Sequence, residues 1–182
     1  MRLKSVMTSL IAMSSSSASA SSSSSSGTAA MSRKAAIRNR VKEAIQGLSP
    51  ERIQEHSKAA ISKLQSMPEW TSSRVICLYL SMAPEIQTYD CIKHAFDEGK
   101  QVYIPKVTGK RSEDMMMFQL ESFATINTFP KSKWGIPEPP MEVIQQAKDG
   151  TCAGIVDTVI VPLCAFDKDC GRVGHGKGYY GK

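Results

Sequence analysis

The sequence predicts an α/β domain built on a mainly parallel sheet. Two observations carry this reading. Val75-Ile76-Cys77-Leu78-Tyr79-Leu80 is a continuous apolar run of strand length, the pattern of a strand buried on both faces. Three further strand-like segments, at 101–105, 115–120 and 157–162, share the chain with stretches of helical period. No internal repeat is visible.

The elements follow in order. Ser14 to Ser26 is serine except for two alanines, and such a run buries too little apolar surface to offset its ordering entropy. Arg2, Lys4 and the patch Leu10-Ile11-Ala12-Met13 faintly resemble a presequence. Residues 1–31 are therefore read as a disordered Ser-rich tail, with a transit peptide as the alternative. The domain is expected to run over residues 32–182. Ser32 is the expected N-cap of a first helix, with Ile37, Val41 and Ala44-Ile45 at helical spacing and Gly47 at its end. Ser49-Pro50-Glu51 opens a second helix, with Ile53, Ala60, Ile61 and Leu64 as its apolar stripe and Pro68 beyond it. The strand 75–80 comes next. Thr88 is expected to cap a helix through Glu98, with Cys91, Ile92, Ala95 and Phe96 inward and Gly99 as the stop.

Composition narrows the function. The 182 residues carry 23 Lys+Arg and 17 Asp+Glu, a net charge of +6. Up to Lys42 there are seven basic residues and no acidic one, which leaves 16 basic against 17 acidic from Glu43 onward. The excess belongs to the first quarter, so a broad phosphate-tracking face for nucleic acid is not expected. No run of 18 apolar residues is present, and no membrane partner is expected. The five cysteines (Cys77, Cys91, Cys152, Cys164, Cys170) are odd in number and never form CxxC, which fits a reducing compartment. His56, His94 and His175 are scattered and form no ligand pair, so no metal-ligating side chain is assigned.

The sharpest feature is Phe166-Asp-Lys-Asp-Cys-Gly-Arg-Val-Gly-His-Gly-Lys-Gly-Tyr-Tyr180, which follows the last strand. Open α/β sheets place ligands there. Glycines 171, 174, 176 and 178 permit close backbone approach, and Arg172 and Lys177 supply positive charge. Read against the P-loop pattern, the segment lacks the final hydroxyl, because Gly178 stands there. A turn at Asp169-Cys170-Gly171 is expected, and an anion cradle beyond it.

Pro162 to Tyr180 resembles the signature of the 5-formyltetrahydrofolate cyclo-ligases, also called 5,10-methenyltetrahydrofolate synthetases. Three other segments agree in order: Lys34-xxx-Arg38, Tyr79-Leu80-Ser81-Met82-xx-Glu85-Ile86, and Lys131-xx-Trp134-Gly135-Ile136-Pro137-Glu138-Pro139. The similarity covers roughly residues 33–180. It implies a three-layer α/β/α sandwich of Rossmann-like type. It implies ATP-dependent conversion of 5-formyltetrahydrofolate to 5,10-methenyltetrahydrofolate, with ADP and phosphate released. ATP phosphorylates the formyl oxygen, N10 attacks the activated carbon, and phosphate leaves. ATP and Mg²⁺ are the implied cofactors, and a monomer in the cytoplasm, alternatively in mitochondria, is the expected setting.

The resemblance also implies site residues. Nucleotide binding falls to Lys34, Arg38, Arg172, Gly174, His175, Gly176, Lys177, Gly178, Tyr179 and Tyr180. Arg172 and Lys177 are the implied catalytic pair. The folate falls to Leu80, Met82, Glu85, Trp134 and Tyr179. Lys34 and Arg38 are four residues apart on one helix and can reach the same polyphosphate. Glu85 can accept hydrogen bonds from the N–H edge of a pterin, and Trp134 can cover its face.

The sequence departs from the family pattern in three places. Gly181 stands where the family has an aspartate that helps to hold Mg²⁺, and His175 stands where arginine is common. Family members also continue beyond this point, so the domain is expected to be incomplete at its C-terminal end. The alternative to an active enzyme is therefore a catalytically impaired binder of folate or nucleotide with the same fold.

Overall fold

The computed structural model describes residues 4–7, 26–147, 149–151 and 155–180. In chain order these form β1 (Lys4–Met7), α1 (Ser26–Gln46), α2 (Pro50–Gln65), α3 (Pro68–Thr71), β2 (Val75–Leu78), α4 (Tyr89–Asp97), β3 (Gln101–Val107) and β4 (Met115–Leu120). A 3₁₀ turn (Phe123–Thr128), α5 (Met141–Gln146), β5 (Thr158–Val161) and the short strands β6 (Ala165–Phe166) and β7 (Arg172–Val173) complete them.

Five strands form one sheet in the order β1-β5-β2-β3-β4. Its first three pairings are parallel and the β3–β4 pairing is antiparallel, so the sheet is mainly parallel, as expected. β6 and β7 make a separate antiparallel hairpin. Within the segment read as a tail, Lys4–Met7 pairs with Thr158–Val161, and α1 begins at Ser26 rather than Ser32. Residues 8–25, with most of the serine run, lie outside the described residues, as does Cys152.

Both faces of the sheet are covered. Ile76 and Leu78 of β2, Val102 and Ile104 of β3 and Ile160 of β5 pack on one face with Leu64, Trp70, Cys91, Ile92 and Ala95. Cys77, Tyr103, Val159 and Val161 pack on the other with Val156, Met117 and Tyr180. This two-sided burial is why the strands read as unbroken apolar runs. Each fully buried aliphatic side chain contributes about 1.5–3 kcal/mol of transfer free energy.

The helix signals resolve individually. Ser49 accepts the Arg52 N–H at 3.4 Å, so the cap of α2 forms as read. Gly99 ends α4 at φ +73°, where the left-handed region favours glycine. Its N–H donates to the Phe96 carbonyl and the Lys100 N–H to the Ala95 carbonyl, which closes a Schellman motif. Thr88 stands at the start of α4, but its hydroxyl makes no cap bond. It is drawn instead into the loop that leaves β2.

The amino ends of the parallel strands are sealed by their own polar groups. The Asp157 carboxylate, ahead of β5, accepts the N–H groups of Arg74 and Val75 at 2.9 Å each. Ser73 and Thr158 share a buried hydroxyl hydrogen bond of 2.7 Å. Lys100, ahead of β3, donates to the carbonyls of Trp70 (3.0 Å) and Ser73 (2.8 Å). The Trp70 indole N–H donates to Glu98 at 2.9 Å. This saturation leaves the carboxyl ends as the place for ligands.

Ile76 is fully buried between β3, β5 and the helices. Ile76→Ala is expected to lower the unfolding free energy by about 2–5 kcal/mol without changing the slope of urea unfolding.

Candidate functional site

Two cavities open at the carboxyl ends of the parallel strands, where α/β sheets bind ligands. The larger, about 440 Å³, lies between α1, α2 and the loops that follow β2 and β5. Arg38, Lys42, His56 and His175 ring it, and Val41, Ile45, Ile53, Ile86 and Leu163 supply apolar lining. The smaller, about 210 Å³, is lined by Leu80, Met82, Pro105, Lys106, Ile136, Glu138 and Tyr180 among others. Tyr79, Glu85 and Pro162 line both.

The loop that divides the cavities runs from Tyr79 to Thr88 and is held by buried hydrogen bonds. The Thr88 hydroxyl donates to the Tyr79 carbonyl at 2.6 Å and accepts the Ser81 N–H at 3.2 Å. The Thr88 N–H donates to the Ser81 hydroxyl at 3.0 Å. The Tyr79 hydroxyl donates to the Ile86 carbonyl at 3.2 Å, and the Gln87 N–H reaches Ser57 of α2 at 3.0 Å. The Glu85 carboxylate accepts the Met82 N–H at 3.1 Å.

These surroundings set the ionisation of the site. Burial pushes the Glu85 carboxyl above its ordinary range, although the Met82 N–H and the nearby His175 pull the other way. Burial also raises the phenols of Tyr79 and Tyr180, with Glu85 adding to both, so they stay protonated donors. The Cys164 thiol is raised by burial against the pull of Arg38. Cys91 is pushed up to about 12 by burial, and Cys77 rises for the same reason. None of these thiols is activated as a nucleophile.

The glycine-rich segment divides into a hairpin turn and a loop. Asp167 accepts the N–H groups of Asp169 (3.0 Å) and Gly171 (2.7 Å). A Cβ on Gly171 would lie 2.5 Å from the Asp167 carboxylate, so a side chain there would push aside the group that holds the turn. Cys170, not a glycine, takes the left-handed conformation of this turn (φ 63°). Gly176 (φ +108°) and Gly178 (φ +77°) supply the unusual backbone of the loop itself. Arg38 reaches across from α1, its Nε donating to the Gly174 carbonyl at 2.8 Å, and its guanidinium lies against Gly176.

The structure thus brings Arg38, Gly174, His175 and Gly176 to the larger cavity or its edge. It brings Leu80, Met82 and Tyr180 to the smaller one, with Glu85 between. Lys34 is exposed on α1 and lines neither cavity, and the same holds for Lys177 and Gly178 in the loop. Arg172 is exposed and donates to the Tyr180 carbonyl. Tyr179 donates to the Gly109 carbonyl at 3.3 Å. Trp134 is 63% exposed and lines neither cavity. Sequence reading missed Tyr79, His56 and Lys106 as lining residues. Tyr79 opens a segment that was read for Leu80, Met82 and Glu85 alone, and no local motif marks His56 or Lys106, which α2 and β3 bring to different cavities.

The glycine loop, with two left-handed glycines and the Arg38 guanidinium beside it, suits a polyphosphate. Among the described residues, no group of three His, Cys, Asp or Glu side chains is placed to hold a metal ion. Gly181 lies outside the described residues.

A mainly parallel α/β sheet with its cavities at the strand carboxyl ends defines the class. The family model of the 5-formyltetrahydrofolate cyclo-ligases matches residues 30–182, and the chain belongs to that family. It is 38% identical over 130 residues to a Schizosaccharomyces pombe protein named "Probable 5-formyltetrahydrofolate cyclo-ligase", covering 70% of this chain and 60% of that protein. It is 32% identical over 149 residues to the mouse 5-formyltetrahydrofolate cyclo-ligase, covering 82% and 72%. The solution structure of Aquifex aeolicus 5,10-methenyltetrahydrofolate synthetase superposes with a TM-score of 0.63 at 28% identity, covering 81% of this chain and 70% of that one.

A raised carboxyl means that the folded chain holds the Glu85 proton more tightly than the unfolded chain does. Its contribution to stability is therefore present below the ordinary carboxylate range and is lost as pH rises through the raised value. Glu85→Gln removes this loss, so its stability relative to the parent should increase from pH 4 to pH 7. Urea unfolding at both pH values checks the sign.

Proposed function

We propose that this chain converts 5-formyltetrahydrofolate to 5,10-methenyltetrahydrofolate at the expense of ATP. The observation that carries the reading is Glu85, which stands on the wall shared by two cavities of different character. The larger cavity, with Arg38, His175 and the glycine loop at its edge, takes the nucleotide. The smaller, with Leu80, Met82 and Tyr180, takes the pterin. Two substrates held on either side of one loop meet at its carboxylate, which is the proximity that phosphoryl transfer demands.

The chemistry follows from the substrate. A formyl amide oxygen is a poor leaving group. The γ-phosphoryl group of ATP moves to that oxygen, and ADP departs. N10 attacks the activated carbon, and the oxygen leaves as phosphate, which closes the methenyl bridge. Arg38, Arg172 and Lys177 supply positive charge for the phosphates, with Lys34 one turn away on α1. The backbone of the loop from Gly174 to Gly178, with Tyr179 and Tyr180 behind it, positions them. Glu85 orients the pterin through its N–H edge, and Trp134 closes over the ring. Mg²⁺ would enter with ATP and offset phosphate charge, since the described residues offer no group of three His, Cys, Asp or Glu side chains to hold it. The protein acts as a monomer in a reducing compartment, the cytoplasm or alternatively the mitochondrion.

The test supplies ATP, Mg²⁺ and 5-formyltetrahydrofolate and follows the near-ultraviolet absorption of the methenyl product together with ADP. Equal yields of the two support the reading. Calorimetric binding of 5-formyltetrahydrofolate without turnover selects a folate-binding protein of the same fold instead. Arg38→Ala should weaken ATP by about 1.5–3 kcal/mol, the range for a hydrogen bond to a charged group, and 5-formyltetrahydrofolate far less. Glu85→Gln should do the reverse, and titrations of each ligand separately distinguish the two.

A further inference from the structure

Lys106 is the one cation lining the smaller cavity among the described residues, and neither the fold nor the reaction above has used it. It lies near the end of β3, opposite Met116 of β4, with its side chain only 13% exposed. Its ammonium donates to the carboxylate of Glu138, which lines the same cavity. Glu138 ends a small hairpin. Lys131 bridges Pro137, Ser132 N–H donates to the Ile136 carbonyl at 2.8 Å, and the Glu138 N–H returns to the Pro130 carbonyl at 2.9 Å. Gly135 turns the tip at φ +75°, beside Trp134. Ile136 packs against the core, and Ile136 to Pro139 form part of the cavity wall. Among the described residues, Lys106–Glu138 is the only ion pair between this hairpin and the sheet.

The electrostatics give the pair a second consequence. The cavity is lined by two carboxylates, Glu85 and Glu138, among mostly apolar side chains. Lys106 neutralises one of them. Glu85 is then the single carboxylate in the cavity not committed to a lysine, so a ring with an N–H edge has one acceptor to find and one orientation to take. Without Lys106, both carboxylates compete for that edge, and an uncompensated charge remains on a half-buried wall.

We propose that Lys106 and Glu138 are positioning residues for the folate substrate: their ion pair clamps the 130–138 hairpin to the carboxyl end of β3 and reserves Glu85 for the pterin edge. This rests on reading the smaller cavity as the folate site. The clamp itself concerns only the protein, so the two ideas are testable apart.

The experiment uses the full chain and the variants Lys106→Met, Glu138→Gln, Lys106→Arg and the charge exchange K106E/E138K. Amide hydrogen exchange without ligand reports the clamp. Calorimetric titration with 5-formyltetrahydrofolate, and separately with ATP, reports the positioning. Exchange over 131–138 should quicken in Lys106→Met and Glu138→Gln and return toward the parent in Lys106→Arg and the charge exchange. The 5-formyltetrahydrofolate affinity of Lys106→Met should fall on the order of tenfold or more, the scale of a misplaced positioning group, while ATP affinity is unchanged. Unchanged hairpin exchange in Lys106→Met overturns the clamp. Equal losses for both ligands, or no rescue by Lys106→Arg, overturn the positioning role. A parent chain that binds ATP but not 5-formyltetrahydrofolate overturns the folate reading of the cavity and the positioning role with it. The clamp is then judged on exchange alone.

Discussion

The structure depends on an asymmetry between the two ends of its parallel strands. At the amino ends of β2, β3 and β5 polar side chains find protein partners: Asp157 takes two backbone N–H groups, Ser73 meets Thr158, and Lys100 meets two carbonyls. Sealing that end costs little, because short segments ahead of β2, β3 and β5 arrive side by side. The carboxyl ends receive no such closure. There the chain leaves each strand on a longer path, and the space between the paths becomes the two cavities. A sheet buried on both faces has nowhere else to admit a polar ligand without breaking backbone pairing.

That asymmetry also explains what was legible in the sequence. The apolar runs 75–80 and 157–162, the Ser49-Pro50 cap and the Gly99 stop encode local physics, and each forms as read or nearly so. Thr88 is the N-cap of α4 by position, without the side-chain bond of a cap. A buried loop with an unpaired Tyr79 carbonyl is a stronger claimant on its hydroxyl. Leaving that carbonyl unsatisfied would cost more than an unfilled cap on a nine-residue helix. Local preference yields to the larger desolvation penalty.

The site was legible in proportion to its continuity along the chain. The glycine loop was found because a run of spaced glycines is a visible pattern, whereas Arg38 was assigned through the resemblance of Lys34-xxx-Arg38 to the family. The structure then divides that run by role. Gly171 answers to the approach of Asp167, whereas Gly176 and Gly178 answer to φ, a distinction that spacing cannot express. Tyr79 and Lys106 lie inside apolar strand patterns, where a phenol or an ammonium reads as an edge of the core. Their role comes from lying at the carboxyl end of a strand, Tyr79 just beyond β2 and Lys106 next to last in β3, and sequence period does not mark strand ends sharply. The +6 charge changes meaning in the same way. Much of it lies on α1, and Arg38 and Lys42 turn part of this surface charge toward a cavity.

Glu85 shows how these levels join. Its loop is fixed by Thr88, Ser81 and Tyr79, and therefore by where β2 stops. Being fixed, it is held with much of its carboxylate out of water between two cavities, and that burial raises its pKa. A mobile loop would relax toward solvent and lose the shift. The cost of burying this carboxylate is thus borne by hydrogen bonds several residues away, and the resulting group is an acceptor with little water to displace. His175 approaches from the glycine loop on one side, and Lys106 engages the competing carboxylate on the other. The result is a divider whose charge responds to what fills either cavity. A cationic or donor edge in the smaller cavity favours the ionised form, and a polyphosphate in the larger one disfavours it unless Arg38 offsets the added negative charge. Coupling between two ligands therefore requires no movement of the sheet, only a carboxylate held where both can reach it.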